Sequence, residues 1–159
     1  MLTDSGGYQI FAMGHGSVAD EVKGRRTTTR EKTLLKITEE GATFRSYTSG
    51  EKLFLTPEKS IDIQRKLGPD FVVQLDECTP FHVDRRYTAR SMQMSHRWGD
   101  RSLAAFRNFG GISANGLPQA MYGIVQGGVY PDLRKESAEY TASRDFFATA
   151  VGVGIKTRA

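Results

Sequence analysis

Phe71-Val72-Val73-Gln74-Leu75-Asp76 places four apolar residues in five and then a carboxylate. So short and continuous an apolar run reads as a strand buried on both faces, with Asp76 at its C-terminal end. Upstream, Thr56 offers an N-cap hydroxyl, Pro57 suits the first helical position, Glu58 follows in the first turn, and Gly68-Pro69 closes the segment. These signals predict a helix over Pro57 to Leu67. Downstream, Tyr87, Met94, Trp98, Ala105 and Phe109 recur at steps of seven, four, seven and four. That spacing makes one stripe of a long helix covering roughly Asp84 to Phe109, and core packing accounts for it without a cofactor. After a Gly110-Gly111 to Pro118 loop, Ala120 to Val125 reads as a second strand ending on Gln126. Pro131 and Asp132 then begin a helix running to about Thr141, and Phe146 to Val151 reads as one more strand. Strand and helix alternating with right-handed crossovers predict a parallel α/β fold. Functional groups in such folds gather at the carboxyl ends of the strands, where Asp4, Asp76 and Gln126 all fall.

Other segments frame this series. Met1, Leu2 and Thr3 are the only residues before Asp4, so the strand that would aim it is expected to be cut short. Ser17 to Lys32 is polar, with Lys23, Arg25, Arg26 and Arg30, and is expected to be a loop that is either solvated or in contact with phosphate. Leu34 to Thr38, Thr43 to Tyr47 and Lys52 to Leu55 are β-prone runs separated by Glu39-Glu40-Gly41 and Ser49-Gly50, the pattern of a small antiparallel meander.

Composition sets outer bounds. With 159 residues the chain suffices for one ordinary globular domain and falls short of the roughly 250 residues of a whole (β/α)8 barrel. A net charge of +4 is compatible with a polyanionic partner without requiring one. No apolar run approaches a bilayer span and no signal segment opens the chain, so a cytoplasmic protein is expected. The single cysteine, Cys78, excludes an intrachain disulfide and a Cys-rich zinc site. His15, His82 and His96 lack metal-ligand spacing and are expected to be surface or packed residues.

Three stretches carry candidate chemistry. In Asp4-Ser5-Gly6-Gly7-Tyr8-Gln9 a carboxylate sits on a tight backbone that a planar ligand can approach, with an aromatic ring beside it for a nucleobase. A helix cap followed by a turn is the plainer account of the same residues. Asp76, ending an apolar strand, needs compensating donors. A guanine edge supplies two through N1–H and its amine, while capping of the next helix or pairing with Arg85 or Arg86 would also serve. Gln126 both donates and accepts, as a purine edge bearing O6 requires, and Gly127-Gly128 keeps the wall behind it thin or simply turns the chain.

In this order, together with Arg45-Ser46-Tyr47, Leu53 to Glu58, Ser95-His96-Arg97-Trp98 and the bacterial-type Glu77-Cys78-Thr79-Pro80, the stretches resemble the tRNA-guanine transglycosylases. The resemblance implies exchange of guanine at the anticodon wobble position for a 7-deazaguanine, through a covalent RNA intermediate and a flipped base. It implies Asp4 as general base and Tyr8 as stacking ring, with Ser5, Gly6 and Gly7 lining the pocket, and Asp76 and Gln126 reading the base near Cys78. Val153 takes the place of a pocket glycine in Ala150-Val151-Gly152-Val153-Gly154. The implied fold is a partial (β/α)8 TIM barrel with an inserted meander, incomplete at both ends, all 159 residues forming the central part of one catalytic domain. The family's nucleophilic aspartate and its zinc ligands match nothing here, so no metal is expected in this chain and the chain alone is expected not to complete exchange. Implied partners are a tRNA anticodon loop, guanine or a 7-deazaguanine and, for the full-length protein, a second copy; no membrane is implied. Two other readings predict different behaviour: an accessory module that binds purine or tRNA without turnover, and a barrel glycosidase using Asp4 and Asp76 as its acid–base pair.

Overall fold

The computed structural model describes residues 1–15, 34–46, 49–81 and 83–152. The basic stretch Ser17 to Lys32, Tyr47, His82 and Val153 lie outside them. In chain order the elements are α1 (Gly7–His15), β1 (Leu34–Thr38), β2 (Gly41–Arg45), β3 (Lys52–Leu55), α2 (Pro57–Leu67), β4 (Phe71–Val73), α3 (Arg85–Asn108), β5 (Ala120–Val125), α4 (Pro131–Ala142) and β6 (Ala148–Val151). β1, β2 and β3 form the expected antiparallel meander, although β2 starts two residues earlier than its β-branched run suggests, because Gly41 pairs with Thr38. β4, β5 and β6 pair in that order and in parallel. The α/β class thus holds, as two three-stranded sheets that are not closed on themselves.

The N-terminal residues extend the parallel arrangement. Leu2 bridges Phe71 in parallel sense, with Thr3 N–H donating to the Phe71 carbonyl at 3.3 Å and Phe71 N–H to that of Met1 at 3.1 Å. The segment leading into Asp4 is therefore a neighbour of β4, which in turn neighbours β5.

Helix boundaries follow their caps. Thr56 Oγ1 accepts from Lys59 N–H at 3.2 Å, Pro57 occupies the first turn, and Gly68 ends α2 in the left-handed conformation at φ 71°. Asp84 caps α3 by accepting from Tyr87 N–H at 2.8 Å. Thr56→Ala removes the α2 cap and should cost about 1 kcal/mol, read as a lower urea midpoint with unchanged slope.

Two cores hold the layers together. Val72 and Met121 on one face of the parallel sheet pack with Ile61 of α2, Leu103 and Ala105 of α3, and Phe106, Phe109 and Phe146 around them. Ile10 of α1, Ala42, Leu75 and Trp98 form the second, with Leu34, Ile37, Leu55 and Met94 against them. Each large side chain so buried contributes roughly 1.5–3 kcal/mol. The α3 stripe is consequently divided: Trp98 and Met94 serve the meander core, while Ala105 and Phe109 serve the sheet core. The buried face of α3 is also wider and more polar than the stripe, taking in Thr88, Ser91, Ser95, His96 and Ser102. Trp98 Nε1 donates to the Glu39 carbonyl at 2.7 Å, and Arg97 grips the Glu39 carboxylate at 2.6 and 2.8 Å, docking the meander turn on α3. No helix among the described residues is long and apolar enough to cross a membrane.

Candidate functional site

The site grows from the parallel register of β4 and β5. Val73 lies opposite Tyr122, and Gln74 N–H donates to the Tyr122 carbonyl at 3.1 Å, so the two chains leave the sheet side by side. They end on Asp76 and Gln126, whose side chains meet: Gln126 Nε2 donates to Asp76 Oδ2 at 2.5 Å. Both residues are buried. Burial drives the Asp76 carboxyl up to about 6; the Gln126 hydrogen bond opposes this, the charge of Asp4 adds to it, and the Cys78 thiol, 3.8 Å from Oδ2, opposes it weakly. The competing structural roles for Asp76 are taken by other residues, since Asp84 caps α3 and Arg85 pairs with Asp132.

Asp4 approaches from the other side. Its Oδ1 accepts the N–H of Ser5 at 2.8 Å, and Ser5 Oγ accepts from Gly7 N–H at 3.3 Å, so the loop folds back on itself before α1 begins. Gly7 then passes so close to the segment following β4 that a Cβ there would stand 2.6 Å from both the carbonyl oxygen and Oδ1 of Asp76. The charge of Asp4 acts on Asp76 and on Cys78 alike. Cys78 is held well above the usual thiol range, first by burial and then by the Asp76, Asp4 and Glu77 carboxylates, so it stays a neutral donor.

Two buried polar residues of α2 hold this arm. Ser60 Oγ donates to the Ser5 carbonyl at 2.6 Å and accepts from Gln64 Nε2 at 3.2 Å. The Gln64 amide also accepts Val73 N–H through Oε1 and donates to the Val73 carbonyl through Nε2, each at 2.8 Å. Thr3 Oγ1 completes the set by donating to Gln64 Oε1 at 3.1 Å. Sequence reasoning missed both residues, because a serine and a glutamine one turn apart in a helix look like surface. Their i, i+3 spacing from the buried Pro57 and Ile61 was the available signal.

On the far side, Gly152 N–H donates to the Val125 carbonyl at 2.8 Å, and a Cβ on Gly152 would meet Gln126 Nε2 at 2.7 Å. The structure therefore brings Asp4, Ser5, Gly7, Asp76, Cys78, Gln126 and Gly152 into one locality. Gly6, at φ 97°, makes the turn into α1 and packs toward Leu55. Tyr8 stands exposed on α1 with its ring stacked on Phe11 at 6.3 Å. Val153, next along the chain from Gly152, lies outside the described residues. Glu77 turns away from the group, accepting from Tyr87 O–H at 2.8 Å. His96 is a packed residue, as expected. Among the described residues no three His, Cys, Asp or Glu side chains stand together as a metal would require.

A buried acceptor of raised basicity beside an amide that can donate or accept matches a flat ligand with N–H donors next to a carbonyl. A family model described as "Queuine tRNA-ribosyltransferase" matches residues 1–157. Proteins of that name are similar to the chain. The one from Protochlamydia amoebophila (strain UWE25) is 47% identical over 152 residues, covering 96% of this chain and 38% of the relative. That from Roseiflexus sp. (strain RS-1) is 42% identical over 160 residues, covering 96% and 39%. That from Chlamydia muridarum (strain MoPn / Nigg) is 41% identical over 152 residues, again covering 96% and 39%. The chain thus spans under two fifths of the length of these relatives.

Proposed function

The chain belongs to the queuine tRNA-ribosyltransferase family, and from that premise we propose that it supplies the base-recognition half of a tRNA base-exchange site. The observation that carries this reading is the buried Asp76–Gln126 pair at the ends of two parallel strands. Guanine offers N1–H and its amine to the Asp76 carboxylate and O6 to Gln126 Nε2, so the base replaces the hydrogen bond the two side chains make with each other. Every polar group remains paired across that replacement, which keeps its cost low.

In the proposed reaction a carboxylate oxygen bonds to the anomeric carbon of the wobble nucleotide as the bond to guanine N9 breaks, and guanine leaves with the bonding pair, taking a proton at N9 from the Asp4 carboxyl that the next step returns. The incoming 7-deazaguanine then attacks the same carbon through N9, expels the carboxylate and passes its N9 proton to Asp4. Ser5, Gly6 and Gly7 line the slot and Tyr8 stacks on the base. The tRNA partner presents its wobble nucleotide out of the anticodon stack. The parallel strands are read as an arc of a (β/α)8 barrel in a cytoplasmic enzyme. No carboxylate in these 159 residues matches the family's nucleophile, so the chain alone binds base and does not turn over. Zinc, expected for the full-length family, finds no ligand set among the described residues and enters no step.

Calorimetric titration at pH 8 should show guanine binding at least about 100-fold tighter than adenine, the worth of two charge-assisted hydrogen bonds. Radiolabelled guanine should not enter an anticodon stem-loop RNA when only this chain is present. Equal affinity for the two purines would remove the base-reading role, and a covalent RNA adduct on a denaturing gel would overturn the division between binding and turnover.

A further inference from the structure

The geometry points to Ser137 and Arg134 of α4 as positioning residues for the base-reading edge, Ser137 fixing the Gln126 backbone and Arg134 the Gly152 carbonyl behind it. This rests on the reading that Gln126 meets O6 of a purine. The two residues lie one turn apart on α4, on the face turned toward the ends of β5 and β6.

Ser137 is fully buried, and its hydroxyl is used twice. Gln126 N–H donates to Ser137 Oγ at 2.9 Å, and the same oxygen lies 2.9 Å from His96 Nε2. The hydroxyl oxygen keeps a second lone pair beside the one taken by Gln126, so this contact is made by either tautomer of a neutral imidazole ring. Burial supports this neutral ring by pulling its pKa down to about 4; Asp100 opposes burial, and Arg144 and Arg97 reinforce it. His96 is fixed in turn, stacked on Tyr140 at 3.9 Å between ring centres, with Tyr140 O–H donating to the His96 carbonyl at 2.6 Å. The Ser137 oxygen is thus held between the His96 ring and the Gln126 N–H, and the Gln126 backbone is fixed through it.

Arg134 acts on the adjoining wall. Its Nη1 donates to the Gly152 carbonyl at 2.9 Å and reaches that of Gly128 at 3.5 Å, tying the chain after β6 to the turn after β5. Gly152 is the residue packed against the Gln126 side-chain amide. Both α4 residues therefore bear on where Nε2 points, one from the backbone and one from behind.

The test compares guanine with 6-thioguanine, which keeps N1–H and the amine for Asp76 and replaces O6 by a sulfur that accepts hydrogen bonds only weakly. Wild-type chain should prefer guanine by about tenfold, one well-aimed hydrogen bond. Ser137→Ala should weaken guanine about tenfold, leave 6-thioguanine unchanged and so erase the preference, while Ser137→Thr, which keeps the hydroxyl, should restore it. If Ser137→Ala does not fold, Arg134→Met carries the test, since Arg134 is only half-buried. It should lower the guanine affinity alone. Equal weakening of both bases in the folded variants, or no weakening of either, overturns the positioning role. A wild-type chain indifferent to O6 sinks the base-reading proposal itself and this inference with it.

Discussion

Asp76→Asn should be more stable than the wild-type chain at pH 8 and should no longer hold guanine. The native carboxyl titrates at about 6, above its ordinary 3.8, because it is buried. Between those two values the folded chain binds more protons than the unfolded one, so this group's contribution to stability falls as pH rises through that window. The full loss is on the order of 3 kcal/mol, reached a little above pH 6. Asparagine carries no charge to desolvate and can still accept from Gln126, so the variant escapes the loss. Thermal melts at pH 4 and pH 8 should show the wild type falling and the variant losing that fall, with a gain at pH 8 of about 5–10 °C. Guanine affinity should drop by about 100-fold or more, because an amide N–H replaces an acceptor opposite the donors of the base. In the wild type, binding should strengthen as pH rises from 5 to 7, when the carboxylate forms. A variant that is no more stable at pH 8, or that still binds, would mean Asp76 is neither strained nor in contact with the base.

Gly7→Ala is expected to damage fold and site together. The added Cβ would stand 2.6 Å from the Asp76 carbonyl and 2.6 Å from its Oδ1. A side-chain oxygen can swing aside; the carbonyl of Asp76 cannot without moving the buried backbone that follows β4. α1 must therefore shift outward, carrying Asp4 with it, at about 3 kcal/mol for overpacking. Displacing one wall of a fitted pocket by about 1 Å should cost binding about 100-fold. Thr56→Ala is the matched control, since it loses stability at the α2 cap and should leave the guanine affinity alone. Equal loss of affinity in both variants would trace the effect to general destabilisation.

Where the sequence carried its own local signals, the fold was legible. Thr56, Pro57 and Gly68 bracket α2 at the residues observed, and Asp84 and Phe109 flank α3. β5 coincides with its apolar run. β4 is shorter than its run because its ladder with β5 ends at the bond from Gln74 N–H to the Tyr122 carbonyl, while Gln74 and Leu75 stay buried. α1 was not legible. Gly6 and Gly7 weaken any local helix signal, and the helix is supported by Ile10 packing in the meander core, a tertiary cause. The identities of Asp4, Asp76 and Gln126 could be read, but the direct contact between Asp76 and Gln126 could not, since it depends on strand register. The buried polar supports Ser60, Gln64 and Ser137 were missed because hydrophobic periodicity, read by residue type, assigns polar residues to the solvent side even where, as at Ser60 and Gln64, they share a face with buried apolar ones.

Gln64 settles how the chain can leave the sheet at Asp4 without exposing it. Past Thr3, whose N–H reaches the Phe71 carbonyl, the next rung of a parallel ladder would use the N–H and carbonyl of Val73. The Gln64 carboxamide occupies both, standing in for a peptide plane supplied by a helix instead of a neighbouring strand. The polypeptide from residue 4 onward is thereby released from the β-ladder, free to bend across the mouth of the cleft, while the margin of β4 offers no open rung to a foreign strand.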